Sequence, residues 1–128
     1  MSRGGTQLVS QIFRGADRKR VTVAAATYTT LAFDRYISVT YTATGVVTIT
    51  LVSAAVAGAG ARQTINDDGN NAATYNITID GSGSETINGV LTQVLTTNGA
   101  SLTIESDGTN WFIVNSHNFR QYLGVDRS

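Results

Sequence analysis

The chain has 128 residues, nine basic and nine acidic side chains, and neither cysteine nor proline. That length suits one domain; the missing thiols exclude a disulfide framework, a thiolate metal site and a cysteine nucleophile, and no apolar run approaches the ~20 residues that cross a bilayer. Nineteen threonines and thirteen glycines with few charges favour strands and turns over surface helices, in a soluble product made in the cytoplasm.

Charge is unevenly placed. Arg3, Arg14, Arg18, Lys19 and Arg20 against Asp17 give the first twenty residues a net +4, whereas Asp67, Asp68, Asp80, Glu85, Glu105 and Asp107 fall in a stretch from Gln63 to Phe119 without Lys or Arg. Residues 1–20 lack strand alternation and read as a basic arm, with Leu8, Val9, Ile12 and Phe13 able to cluster on one side of a short helix once a partner covers them. Arg18-Lys19-Arg20 suits phosphates, but no aromatics are interleaved as a single-strand groove requires. An acidic protein surface explains the arm as well, and nucleic acid is disfavoured.

From Val21 the chain turns β-branched. VTVAA, Tyr36 to Thr42 and Val46 to Val52 read as strands, the last two joined by a Thr44-Gly45 hairpin turn. Alternation places Ile37, Val39 and Tyr41 on one dry face and Val47, Ile49 and Leu51 on another. Ser53 to Arg62 reads as a loop, because Gly58 and Gly60 would each cost about 1 kcal/mol inside a helix. RQTIN leads into the turn cluster Asp67-Asp68-Gly69-Asn70-Asn71, and YNITID follows with Ile77 and Ile79 inward. Thr86-Ile87 makes a brief strand, and Asn88-Gly89 a turn. Val90 to Val114 reads as a three-stranded meander, with Asn98-Gly99 and Asp107-Gly108 as its hairpin loops and Trp111 at the start of the last strand. Short strands with a turn about every ten residues mark an all-β sandwich or barrel. The pieces vary too much for a solenoid repeat.

Chemistry-bearing patterns are sparse. The acids fall within or beside Gly and Asn turns, where Asp hydrogen-bonds its own backbone, and the spaced ligand series of a calcium loop is missing. His117, the only histidine, has no nucleophile-elbow sequence to serve and reads as a surface residue near the end of the last strand. The glycine pairs at Gly58/Gly60 and Gly81/Gly83 lack the Lys-Ser/Thr of a phosphate loop. Trp111, Tyr75 and Tyr28 could form a sugar-stacking platform, although Trp111 sits in an apolar strand that suits a core or intersubunit position. No enzyme signature, metal site or cofactor site is expected.

Four segments carry a resemblance: Ile65-Asn66-Asp67-Asp68-Gly69-Asn70, N-I-T-I at Asn76 to Ile79, S-x-T-I-x-G at Ser84 to Gly89, and S-D-G-T-N-W at Ser106 to Trp111. In this order, Val21 to Val114 resembles a β-rich module of tailed-bacteriophage virion proteins, found in tail-fibre and appendage chains and in free-standing capsid decoration, or cement, proteins. Val52-Ser53 departs from the Leu-Pro-Ser common in such modules. The resemblance implies a non-enzymatic virion structural protein, often trimeric, without catalytic residues. The chain carries neither the heptads nor the shaft repeats of a fibre, which favours decoration at three-fold or quasi-three-fold positions on the outer capsid surface over a receptor- or carbohydrate-binding module.

The expected architecture is therefore all-β: an antiparallel β-sandwich or jelly-roll-like barrel over 21–115, preceded by an arm over 1–20, followed by a tail over 116–128, and assembling as a homotrimer. Arg3, Ile12, Phe13, Arg14, Arg18, Lys19 and Arg20 are the expected contacts to the major capsid protein; Trp111, Phe119, Tyr122 and Leu123 are the expected contacts to a neighbouring copy.

Overall fold

A computed structural model describes residues 19–118. Nine strands follow in order: β1 (Lys19–Val23), β2 (Thr27–Thr29), β3 (Asp34–Val39), β4 (Val47–Thr50), β5 (Arg62–Asp67), β6 (Ile77–Asp80), β7 (Thr92–Leu95), β8 (Ser101–Ser106) and β9 (Trp111–His117), with one short helix, α1 (Ala54–Ala57), between β4 and β5. The described residues are all-β in class, as composition and alternation predict.

The strands form a five-stranded sheet in the order β1-β3-β5-β8-β9 and a four-stranded sheet in the order β2-β4-β6-β7. Both are mixed. β1, β3 and β5 run parallel, as do β2, β4 and β6, while β6–β7, β5–β8 and β8–β9 are antiparallel. The expectation of antiparallel sheets therefore fails for the first six strands. Through β6 the chain alternates between sheets, so each successive pair of these strands is one turn of a winding and strands two apart in sequence become neighbours.

The winding stacks its turns without a regular repeat in the sequence. Register partners lie 16 residues apart for Arg20 and Tyr36 but 28 apart for Tyr36 and Thr64; in the other sheet they lie 21 apart for Thr27 and Thr48 but 30 for Val47 and Ile77. The turns stack while their lengths differ, which leaves the sequence without a period.

Three connections decide this path. The residues between β3 and β4 form a single 3-10 turn at Tyr41–Ala43 rather than a hairpin at Thr44-Gly45. The Asn98-Gly99 turn likewise passes from one sheet to the other, because β7 pairs with β6 and β8 with β5. The two-residue hairpin is at Asn88-Gly89, where φ is 53° and 82° and Ile87 and Val90 exchange backbone hydrogen bonds of 2.7 and 3.2 Å, the mark of a type I′ turn. Asp107-Gly108 does join antiparallel neighbours, with Ser106 opposite Trp111.

The inward positions of both sheets meet in one core. Ile37, Val39, Ile65, Leu102, Ile104 and Trp111 come from the larger sheet, and Val47, Ile49, Ile77, Ile79 and Leu95 from the smaller. Each fully buried Ile or Leu contributes about 1.5–3 kcal/mol. Of the predicted inward set, 37/39, 47/49/51 and 77/79 are buried, whereas Tyr41 lies in the 3-10 turn after β3 and is only half-buried. α1 forms where a loop is expected: Ser53 caps it, its hydroxyl accepting from Val56 N at 3.3 Å, and Glu85 Oε1 accepts from Ala54 N at 3.0 Å. Gly58, at φ 91°, ends it.

Candidate functional surfaces

The expected contact residues divide by position. Arg3, Ile12, Phe13, Arg14 and Arg18 of the arm, and Phe119, Tyr122 and Leu123 of the tail, lie outside the described residues. Lys19 and Arg20 belong to β1, so strand structure begins two residues inside the stretch read as an arm. Both already have partners on the body. Lys19 Nζ is 3.8 Å from Asp34 Oδ1, and Arg20 Nη2 is 3.5 Å from Asp68 Oδ2 with its guanidinium 4.7 Å over the Tyr36 ring.

Trp111 needs a correction. It is 0% exposed within a single chain, so its ring is packed in the protomer core and is not a surface for a neighbour. The reason is register: Trp111 lies opposite Ser106, on the inward side of β8 with Leu102 and Ile104. The sugar-stacking platform is not assembled either. Tyr28 is aligned with Ile49 on the inward side of its sheet and its hydroxyl donates to Asp34 Oδ2 at 2.6 Å.

The motif acids serve the fold. Asp67 is buried at the end of β5, where Oδ2 accepts from the backbone N–H groups of Asn71, Ala72 and Gly99 at 2.9, 2.8 and 3.0 Å and Oδ1 accepts from Thr42 Oγ1 at 2.5 Å. One carboxylate thereby ties three separate corners together. Gly69 is required beside it, since a Cβ there would lie 2.8 Å from Thr40 O. Asp68 points the other way, onto the outer face of the larger sheet, and accepts from Ser38, Asn66 and Tyr36 as well as pairing with Arg20. Its charge and desolvation, opposed by Arg20, raise the Tyr36 pKa above its ordinary value, desolvation being the largest cause.

In the S-D-G-T-N-W segment, the Ser106 hydroxyl donates to Ala54 O at 2.8 Å, Asp107 Oδ1 accepts from Thr109 N and Asn110 N at 2.9 and 2.8 Å, and Asn110 Oδ1 accepts from Thr86 N at 2.9 Å. Those backbone donors lower the Asp107 pKa, the bond from Asn110 being the largest cause. His117 is exposed at the end of β9, opposite Ser101.

Two surfaces emerge that the residues did not announce. Counting threonines misses that three Thr-x-Thr/Asp runs fall in register: Thr27, Thr48 and Thr78 form one outward row on the smaller sheet, and Thr29, Thr50, Asp80 and Thr92 the next. The period-2 spacing within each run was the available signal. The second surface is the end of the stack bounded by edge strands β7 and β9. Val90, Leu91, Val94, Phe112 and Val114, all exposed, lie on these strands or on the turn entering β7. Comparison with known proteins adds no relative: no protein-family model matches the chain, and no curated protein matches it.

Proposed function

We propose that this chain is a non-enzymatic bacteriophage virion protein, a capsid decoration protein that binds the assembled head as a homotrimer at three-fold or quasi-three-fold positions and reinforces it. In this reading the two sheets are the halves of a small sandwich built from stacked turns, the major capsid protein is the partner, and the outer capsid surface is the location. The observation that carries it is the use of the resembling segments. Asp67, Gly69, Ser106, Asp107 and Asn110 are engaged in closing corners of the fold, as expected of a structural module whose polar motif residues are scaffolding. With Lys19 and Arg20 paired on the body, attachment charge falls to Arg3, Arg14 and Arg18, with Ile12 and Phe13 as apolar anchors.

Because β1 begins at Lys19, removal of residues 1–18 tests the arm without cutting the sheet. Co-sedimentation with empty heads should fall to background, and attachment of the intact chain should weaken as ionic strength rises. Undiminished binding by the shortened chain would remove the arm from the account. Copy number in purified virions separates head from tail: hundreds of copies support decoration, and a few support an appendage.

The threonine rows favour one second reading, a tail-fibre or appendage module that binds carbohydrate. An array of hydroxyls with one carboxylate, Asp80, suits a polyhydroxyl ligand. Glycan-array binding lost on Thr48→Val/Thr78→Val would support that reading over decoration.

A further inference from the structure

Asparagine or aspartate followed by glycine is chemically fragile, because glycine has no side chain to shield its backbone nitrogen from the carbonyl carbon of the preceding side chain. The chain has five such pairs: Asp68-Gly69, Asp80-Gly81, Asn88-Gly89, Asn98-Gly99 and Asp107-Gly108. In four of them the glycine N–H is engaged, donating from Gly69 to Val39 O at 2.9 Å, from Gly81 to Leu91 O at 3.1 Å, from Gly99 to Asp67 Oδ2 at 3.0 Å and from Gly108 to Ser106 Oγ at 2.9 Å. The Gly89 N–H has no acceptor among the described residues, and Asn88 and Gly89 are both exposed at the tip of their hairpin.

The same turn prepares the carbon that would be attacked. Asn88 Oδ1 accepts from Ile113 N at 2.8 Å, so a backbone donor already points at the atom on which negative charge develops during attack. Asn98 has a similar donor, with Ala73 N 3.0 Å from its Oδ1. The two Asn-Gly pairs therefore differ at the nucleophile, which must give up its proton to react. At Gly99 the resulting amide anion would stand beside the buried Asp67 carboxylate, and like charge opposes its formation. No carboxylate accepts from the Gly89 nitrogen.

We propose that Asn88 is a site of self-modification, converted in the folded chain through a cyclic succinimide to aspartate and isoaspartate. The Gly89 nitrogen loses its proton and bonds to Asn88 Cγ; the Cγ–Nδ2 bond breaks, and Nδ2 takes up a proton and leaves as ammonia. Water then adds to one of the two ring carbonyls. Breaking the new bond from Cγ to Gly89 N gives aspartate, and breaking the original Asn88 peptide bond gives isoaspartate. Either product sets a carboxylate beside the exposed Val90 and Leu91. Isoaspartate also routes the main chain through the former side chain, which lengthens a two-residue turn. The links disturbed are those that tie the turn to β9, from Asn88 N to Trp111 O at 3.1 Å and from Ile113 N to Asn88 Oδ1. This chemistry does not depend on the virion role proposed above.

The test is timed peptide mapping by mass spectrometry on the full-length chain, incubated in mildly alkaline buffer either folded or unfolded in urea. Unfolding removes the fixed partner of Gly99, so the chain in urea gives the intrinsic ratio of Asn88 to Asn98 conversion. In the folded chain that ratio should be about tenfold or more higher, with isoaspartate among the products at Asn88. A ratio that is unchanged or lower on folding would overturn the proposal. So would an Asn88 that stays intact in the folded chain while the unfolded one converts. Aspartate at Asn88 without any isoaspartate would exclude attack by Gly89 in favour of direct hydrolysis.

Discussion

Asp67 concentrates more of the fold than any other polar residue described. Its carboxylate is buried with four donors aimed at it from Thr42, Asn71, Ala72 and Gly99, and a charged acceptor removed from such a site leaves every donor without a partner. Asp67→Ala should lose about 3 kcal/mol or more in urea unfolding, and Asp67→Asn should be nearly as damaging, because its NH₂ faces donors. Tyr28 offers a pH test. Burial first, then the hydrogen bond to Asp34 and the charge of Asp34, raise its pKa well above the ordinary tyrosine value. Folding thus favours the neutral phenol. That stability is whole below the free-tyrosine pKa of about 10 and is lost as pH rises from there through the higher folded value. Thermal melts across about pH 9 to 11 should therefore fall steeply for the native chain and less steeply for Tyr28→Phe, with Tyr36 contributing in the same direction. The turn role of Asp67 was legible in the sequence because Asp beside Gly and Asn is a local signal. Its reach to Thr42 and Gly99 was not, since 25 and 32 residues separate the partners.

At the scale of elements, alternation found most strands, and turn chemistry found most of their ends. Neither could say which strands pair. Asn98-Gly99 and Asn88-Gly89 carry the same dipeptide, yet Gly99 lies on a passage between sheets at φ 77° and only Asn88-Gly89 makes the hairpin. Positive φ is required by both routes, so the residues are silent on the choice. The three-residue strand β2 was missed for its length, and α1 because its cap, Ser53, is reinforced by Glu85 from far along the chain. Glycines at these corners separate two physical demands. A Cβ at Gly81 would meet Glu85 O at 2.4 Å, while at Gly83 it would meet nothing within 4 Å but would sit at φ +57°. Gly81→Ala should therefore lower stability by about 1–3 kcal/mol through backbone displacement, against about 1 kcal/mol for Gly83→Ala through φ alone. Urea midpoints of the two variants give the order.

For the whole molecule, burial predicts an uneven stability. β3, β4, β5, β6 and β8 each have neighbours on both sides, whereas β1, β2, β7 and β9 are edges. Amide exchange should be slowest in the five inner strands and fastest in β2, of whose three residues Thr27 and Thr29 are exposed. Equal protection across all nine strands would contradict this account. The larger sheet also begins at β1 and ends at β9, so the two ends of the described chain stand at opposite edges of one sheet, four strand spacings or about 19 Å apart. A tensile load applied between Lys19 and Asn118 runs crosswise through four ladders in series. The first to yield is β1, which hangs on a single parallel ladder and buries only Val23. Its five residues release about 17 Å of chain while the core stays closed. β1 is thus the element that such a load detaches first, before the rest of the sheet opens.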